Sequence, residues 1–123
     1  MKKYQPIIDF FIEIEPKTFE KKDSFYHKKI KAIFLEKYPQ LRTLNKKDRF
    51  YVNIIFYFGK QHTRIDLDNL IKPILDSFTK LVWCDDTQVF ELKSRKEQNN
   101  MFKGISIVIK KINLSSCQIA TQC

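Results

Sequence analysis

Glycine is nearly absent from this chain, with two in 123 residues, alongside four prolines, two histidines and one tryptophan. So little glycine and proline argues against a loop-rich or low-complexity design. The three cysteines, Cys84, Cys117 and Cys123, are odd in number and lack any C-x-x-C spacing. That argues against a zinc site and against a disulfide framework, and leaves Cys84 to be read as a packed thiol in a reducing compartment. Neither histidine has a partner at ligand spacing. His27 reads as a surface residue with no catalytic role, and His62 draws more interest only for standing four residues before Asp66. No apolar run approaches the roughly 20 residues that cross a bilayer. The opening MKKYQPIIDFFIEIEP has a basic head and an apolar stretch, but Asp9, Glu13 and Glu15 interrupt it, as they would not in a signal peptide. The expectation is a cytoplasmic protein.

What the chain does have is apolar mass and positive charge. Hydrophobic residues make up 43%, with eleven Phe and five Tyr, which is globular rather than disordered composition. Its length suits one domain with a core able to stand alone. The 23 Lys and Arg exceed the 14 Asp and Glu, for a net charge of +9. Such an excess points to a polyanion, most often nucleic acid, although a merely lysine-rich soluble surface would give the same count. Lysine outnumbers arginine, which suits phosphate contacts better than bidentate reading of bases.

Period-two alternation over 7–15 predicts a strand with Ile8, Phe10, Ile12 and Ile14 on its buried face, ended by Pro16. Residues 16–24 form a basic loop. Asp23 or Ser24 can cap a helix to about Tyr38, with Phe25, Ile30, Ile33, Phe34 and Tyr38 approximating its apolar stripe. Phe50 to Phe58 is a second strand with both faces apolar enough to be covered. A second helix is expected from Asp68 or Asn69, through Leu70, Ile71, Ile74, Leu75, Phe78 and Leu81. Pro73 lacks an amide donor, so the helix should start near it or have a loosened first turn. A turn at Trp83 to Asp86 leads into a third strand over 88–96, with Phe90 and Leu92 inward. A hairpin loop at Glu97 to Asn100 then gives a last strand over 102–112. The order β-α-β-α-β-β predicts an α+β single domain, a mixed β-sheet with two main helices, over 1–112. The uncharged stretch 113–123 reads as a poorly ordered tail.

The stretch 64–90, RIDLDNLIKPILDSFTKLVWCDDTQVF, gathers carboxylates in an otherwise basic chain. Asp66 and Asp68 stand two apart, which puts both on one side of extended backbone. Asp85-Asp86 follows after an amphipathic segment. Carboxylates this close repel, and a hard divalent cation such as Mg²⁺ relieves that while leaving positions open for phosphate and water. An EF-hand does not fit, because Leu70 and Ile71 stand where an oxygen ligand and a glycine belong. Taken singly, Asp66 and Asp68 could be helix caps and Asp85-Asp86 a β-turn. Their occurrence together with Asn69, Lys72, Asp76, Trp83 and Gln88 makes capping plus turn a poor account.

The pattern Asp66-Leu67-Asp68-Asn69-x-x-Lys72-x-x-x-Asp76, then Trp83-x-Asp85-Asp86-x-Gln88-Val89, fixes eleven positions across residues 66–89. It resembles the RusA family of Holliday junction resolvases. The resemblance implies a small homodimeric endonuclease, bacterial or phage-encoded, that resolves four-way DNA junctions in recombination and repair by Mg²⁺-dependent paired nicks, with Mn²⁺ able to substitute. Carried over by position, Asp66, Asp68 and Asp86 would hold the metal and Lys72 would be the essential lysine. Asn69, Asp85 and Asp76 would support them, Asp76 by pairing with Lys72. Lys17, Lys21, Lys22, Lys28 and Arg64 are the candidate DNA contacts, although the loop lysines also suit an ordinary solvated turn. Trp83 reads as core packing. Two rivals remain: a Mg²⁺ nuclease acting on another branched DNA or RNA, and a non-catalytic DNA-binding protein that keeps the fold.

Overall fold

A computed structural model describes residues 3–16, 24–41, 44–59, 65–99 and 101–113. The expected element order is found: β1 (Lys3–Ile12), α1 (Ser24–Lys37), β2 (Arg49–Phe58), α2 (Leu67–Phe78), a short 3-10 turn at Asp86–Gln88, β3 (Val89–Gln98) and β4 (Gly104–Asn113). The result is an α+β domain with one mixed four-stranded sheet. Asn113, assigned to the tail by the sequence, is the last residue of β4, and 114–123 lie outside the described residues.

Alternation decides which face of the sheet is buried. Ile8, Phe10 and Ile12 of β1, Val52, Ile54, Phe56 and Phe58 of β2, and Ile105, Ile107 and Ile109 of β4 are all buried. Both helices lie on that face. Tyr26, Ile30 and Phe34 of α1 and Leu70, Ile74 and Phe78 of α2 complete the core. Aromatic rings run through it: Phe34 meets Phe78 edge-on at 5.2 Å, Phe78 meets Trp83 at 6.0 Å, and Trp83 meets Phe50 at 5.6 Å. Trp83 is therefore a core residue, as its sequence context suggested.

Strand order corrects one expectation. β3 and β4 do not form a hairpin; the order is β1-β4-β2-β3, with β4 antiparallel to both β1 and β2 and β3 parallel to β2. The physical reason lies in composition. The isoleucines Ile105, Ile107 and Ile109 of β4 suit a central position under the helices, whereas β3 (VFELKSRKEQ) carries charges suited to an exposed edge. A register irregularity opposite Phe50/Tyr51 sets Phe90 apart, because Val89 pairs with Phe50 and Glu91 with Tyr51. Phe90, expected inward, is instead 59% exposed, with the Arg49 guanidinium 4.7 Å from its ring centroid.

Two further expectations change. β1 starts earlier, at Lys3, and ends at Ile12, well before Pro16. α2 runs unbroken from Leu67 through Pro73, with Asp66 rather than Asp68 or Asn69 in the N-cap position. Pro73 is buried inside it. The ring removes one donor to the carbonyl four residues back, that of Asn69, an exposed residue where water can replace the lost bond. Cys84, read as a packed thiol, is packed, being buried, but is disulfide-bonded rather than reduced.

Candidate active site

The middle of α2 and the 3-10 turn before β3 stand side by side, and Lys72 joins them. Its ammonium donates to Asp86 Oδ2 at 2.8 Å and lies 3.1 Å from Asp76 Oδ1. Asp76 is one helical turn beyond Lys72, the spacing at which side chains on a helix meet. The pairing expected of Asp76 is thus present, while the link to Asp86 bridges 14 positions of sequence. The hydrogen bonds to Asp86 and then Asp76 raise the Lys72 pKa above its ordinary value. The Lys72 bond likewise holds Asp86 below the usual carboxylate range, against the opposing effect of its partial burial.

The two members of the second acidic pair do different work. Asp85 caps the 3-10 turn, its carboxylate accepting from Thr87 N at 3.2 Å. The turn role suggested by sequence therefore belongs to Asp85, and Asp86 faces Lys72. Gln88 fixes this turn, a role that sequence reasoning missed. Its side-chain oxygen accepts from Cys84 N at 2.8 Å and Asp85 N at 3.3 Å. Its amide nitrogen donates to the carbonyls of Asn45 at 2.8 Å and Asp48 at 2.9 Å. One buried amide thus ties the turn carrying Asp86 to the entry of β2. Glutamine is a residue of ordinary loops, so the signal was only its place in the motif.

The first acidic pair brackets the start of α2. Asp66 occupies the N-cap position but makes no side-chain capping hydrogen bond, so its exposed carboxylate is not committed to the helix. Asp68, also exposed, accepts from Asn69 N at 3.0 Å, a contact between neighbours. Both carboxylates sit where helix amides and the helix dipole favour negative charge, whether a carboxylate or a phosphate. Lys96, reaching across from β3, donates to the carbonyl of Ile65 at 2.6 Å and anchors the segment leading into Asp66. Sequence reasoning missed that anchor too.

Among the described residues, no three His, Cys, Asp or Glu side chains stand together closely enough to hold a metal ion. The structure brings together Lys72, Asp76 and Asp86, and places Asp66 and Asp68 at the end of the same helix. Lys17, Lys21, Lys22 and Arg64 lie outside the described residues, and Lys28 is exposed on α1. The sequence matches the family model Endodeoxyribonuclease RusA over residues 12–110. The chain belongs to the RusA endodeoxyribonuclease family. That span includes both helices and every candidate site residue on them. Among curated proteins none matches the chain. Membership makes this RusA-family protein an endodeoxyribonuclease, a hydrolase of DNA phosphodiesters, and none of its described helices is long and apolar enough to cross a membrane.

Proposed function

We propose that this protein is a Mg²⁺-dependent resolvase of four-way DNA junctions, working as a homodimer in the cytoplasm with one cutting site per copy. The observation that carries the reading is the Lys72–Asp86 contact, which sets a helix-borne cation against a turn carboxylate, with the uncommitted Asp66 at the N-terminus of the same helix. Hard carboxylate oxygens are the donor chemistry that Mg²⁺ or Mn²⁺ takes. The family motif assigns the ion to Asp66, Asp68 and Asp86, whose carboxylates are at least partly open to solvent. An ion would have to draw them together, since no three such side chains among the described residues stand close enough to hold one. When bound, a divalent ion neutralises charge on the phosphoryl oxygens and makes water a competent nucleophile.

The chain's own residues account for the rest. The α2 N-terminus favours a phosphate by its dipole and by first-turn amides that no helix carbonyl reaches. Lys72 is half-exposed and kept charged by its acidic neighbours, so it can transfer a hydrogen bond from Asp86 to a phosphoryl oxygen without changing protonation. Asp76 keeps its ammonium in place during that exchange. Gln88 and the Asp85 cap hold the backbone of Asp86, and a fixed donor or acceptor needs little reorganisation as charge develops. The +9 net charge supplies the long-range attraction for branched DNA.

The test is cleavage of an end-labelled immobile four-way junction beside linear duplex of the same sequence, with Mg²⁺ or with EDTA, by the wild type and Asp68→Asn. Paired symmetric nicks on the junction alone, lost in EDTA and in the variant while junction binding persists, are expected. Equal cutting of duplex would remove junction selectivity, and tight binding with no cutting in any divalent ion would make the protein a binding module.

A further inference from the structure

Two lysines tie α2 to β3, and they point in opposite directions. Lys72, on α2, reaches the Asp86 turn that immediately precedes β3. Lys96, near the far end of β3, reaches back and donates to the Ile65 carbonyl, just ahead of α2, at 2.6 Å. Lys96 stands opposite Phe56 in the parallel β2–β3 ladder, and Phe56 is buried under the helices. The Lys96 side chain therefore rises on the helix side of the sheet, where its four-carbon stem can reach from an edge strand to the loop entering α2. One strand thus carries Asp86 before one end and grips the approach to Asp66 near the other.

The peptide group decides what that grip fixes. Ile65 precedes the Asp66 N-cap position and lies outside the helix's own ladder of hydrogen bonds. Its side chain packs against the core, while its carbonyl oxygen is held by Lys96. The Ile65 carbonyl shares one rigid plane with the nitrogen and Cα of Asp66. Holding the oxygen orients that whole plane, and Asp66 then aims its carboxylate with only its own torsions. Asp66 makes no capping bond that would otherwise restrain it. A charged donor also makes the shorter and stronger class of hydrogen bond.

We propose that Lys96 is a positioning residue for DNA cleavage, acting through the Ile65 peptide on Asp66. Lys72 sets Asp86 and Lys96 sets Asp66, so the two carboxylates keep a fixed relation across α2 and β3. The proposal rests on the resolvase reading, from which it takes the part played by Asp66, and it adds a residue beyond the motif of residues 66–89. The rival use of the same exposed ammonium is a direct bond to a DNA phosphate. That contact would require Lys96 to leave the carbonyl it already holds.

Lys96→Met keeps the stem and removes the donor, and Lys96→Arg keeps a charged donor. Lys96→Ala serves if Lys96→Met proves misfolded by circular dichroism. Nitrogen relaxation in EDTA reads the anchor without any cleavage, because the Asp66 N–H lies in the plane that Lys96 holds. Its order parameter should drop from about 0.85 toward about 0.6 in Lys96→Met and recover in Lys96→Arg. Cleavage at saturating junction in Mg²⁺ should fall about 10–100-fold in Lys96→Met, the usual effect of losing a group that orients a metal-site ligand. Lys96→Arg should restore most of it, with the junction Kd in EDTA and its salt dependence unchanged in both variants. An unaltered Asp66 order parameter, or a wild-type cleavage rate in folded Lys96→Met, would overturn the proposal alone. So would weaker junction binding with a salt slope smaller by about one and an unchanged rate once bound, the signature of a phosphate contact. A wild type that cuts no DNA would overturn the resolvase reading and this role together.

Discussion

Replacing Gln88 with leucine tests whether one buried amide holds the candidate site together. Leucine keeps much of the side-chain volume but makes none of the four hydrogen bonds that Gln88 forms with Cys84, Asp85, Asn45 and Asp48. At about 1 kcal/mol net for each well-formed bond, and less for the long contact to Asp85 and for carbonyls that can turn to water, the loss comes to about 3 kcal/mol. A chain of 123 residues, unfolding with about 2.1 cal/mol/K per residue, should then melt about 12 °C lower. Thermal unfolding by circular dichroism and the urea midpoint measure this directly. Cleavage at a temperature where the variant is fully folded should fall at least tenfold, because the turn carrying Asp86 is no longer tied to the entry of β2. A melting point within about 2 °C of wild type, corresponding to about 0.5 kcal/mol, would refute the assigned role. Full activity in a strongly destabilised variant would show that the tie serves the fold and not the site.

The Lys72–Asp86 pair has a pH window set by its two shifts. Asp86 lies below its ordinary 3.8, so its contribution is fully present above that value and is lost as pH falls through the lower folded value. Lys72 lies above 10.5, so its contribution is present below that value and is lost as pH climbs through the higher folded one. In EDTA, the urea-midpoint difference between wild type and Lys72→Met should be flat between those limits and vanish beyond them; with Lys72 54% exposed, it should not exceed about 1 kcal/mol. Gly104→Ala should destabilise by about 1–3 kcal/mol, because the new Cβ would meet the Phe11 ring and lie 2.6 Å from the Ile12 carbonyl. An unchanged melting temperature would show that both give way freely.

The elements were legible in the sequence because each carries its own period. The alternation of Val52, Ile54, Phe56 and Phe58, and the stripe Leu70, Ile74, Phe78, mark buried faces directly. Strand neighbours were not legible from spacing, since a short loop between β3 and β4 suits a hairpin and a crossover equally. The usable signal was composition, with charged β3 at an edge and isoleucine-rich β4 inside. Pro73 misled because the cost of proline depends on whether the orphaned carbonyl reaches water, which only the packing decides. At the site, the motif picked out the carboxylates and Lys72, and the Lys72–Asp76 pairing followed from helix spacing. The Gln88 ties and the Lys96 anchor depend on residues 31 to 43 positions away, beyond any local pattern.

β1 finds its partner only at the far end of the domain, with Lys3 opposite Asn113 and Ile12 opposite Ile105. Among the described residues no other strand pairs with β1. During synthesis at roughly 5–20 residues per second, the first strand therefore waits several seconds as an unpartnered apolar segment, until β4 has left the ribosome. β2 and β3 can pair around α2 meanwhile, but the sheet closes only when the last strand slides between the first and second. Loop closure on this scale makes folding slow for a domain of this size and exposes the nascent chain to aggregation. The same topology makes β4 the keystone: a chain shortened before it loses both of its neighbours' main-chain bonds at once.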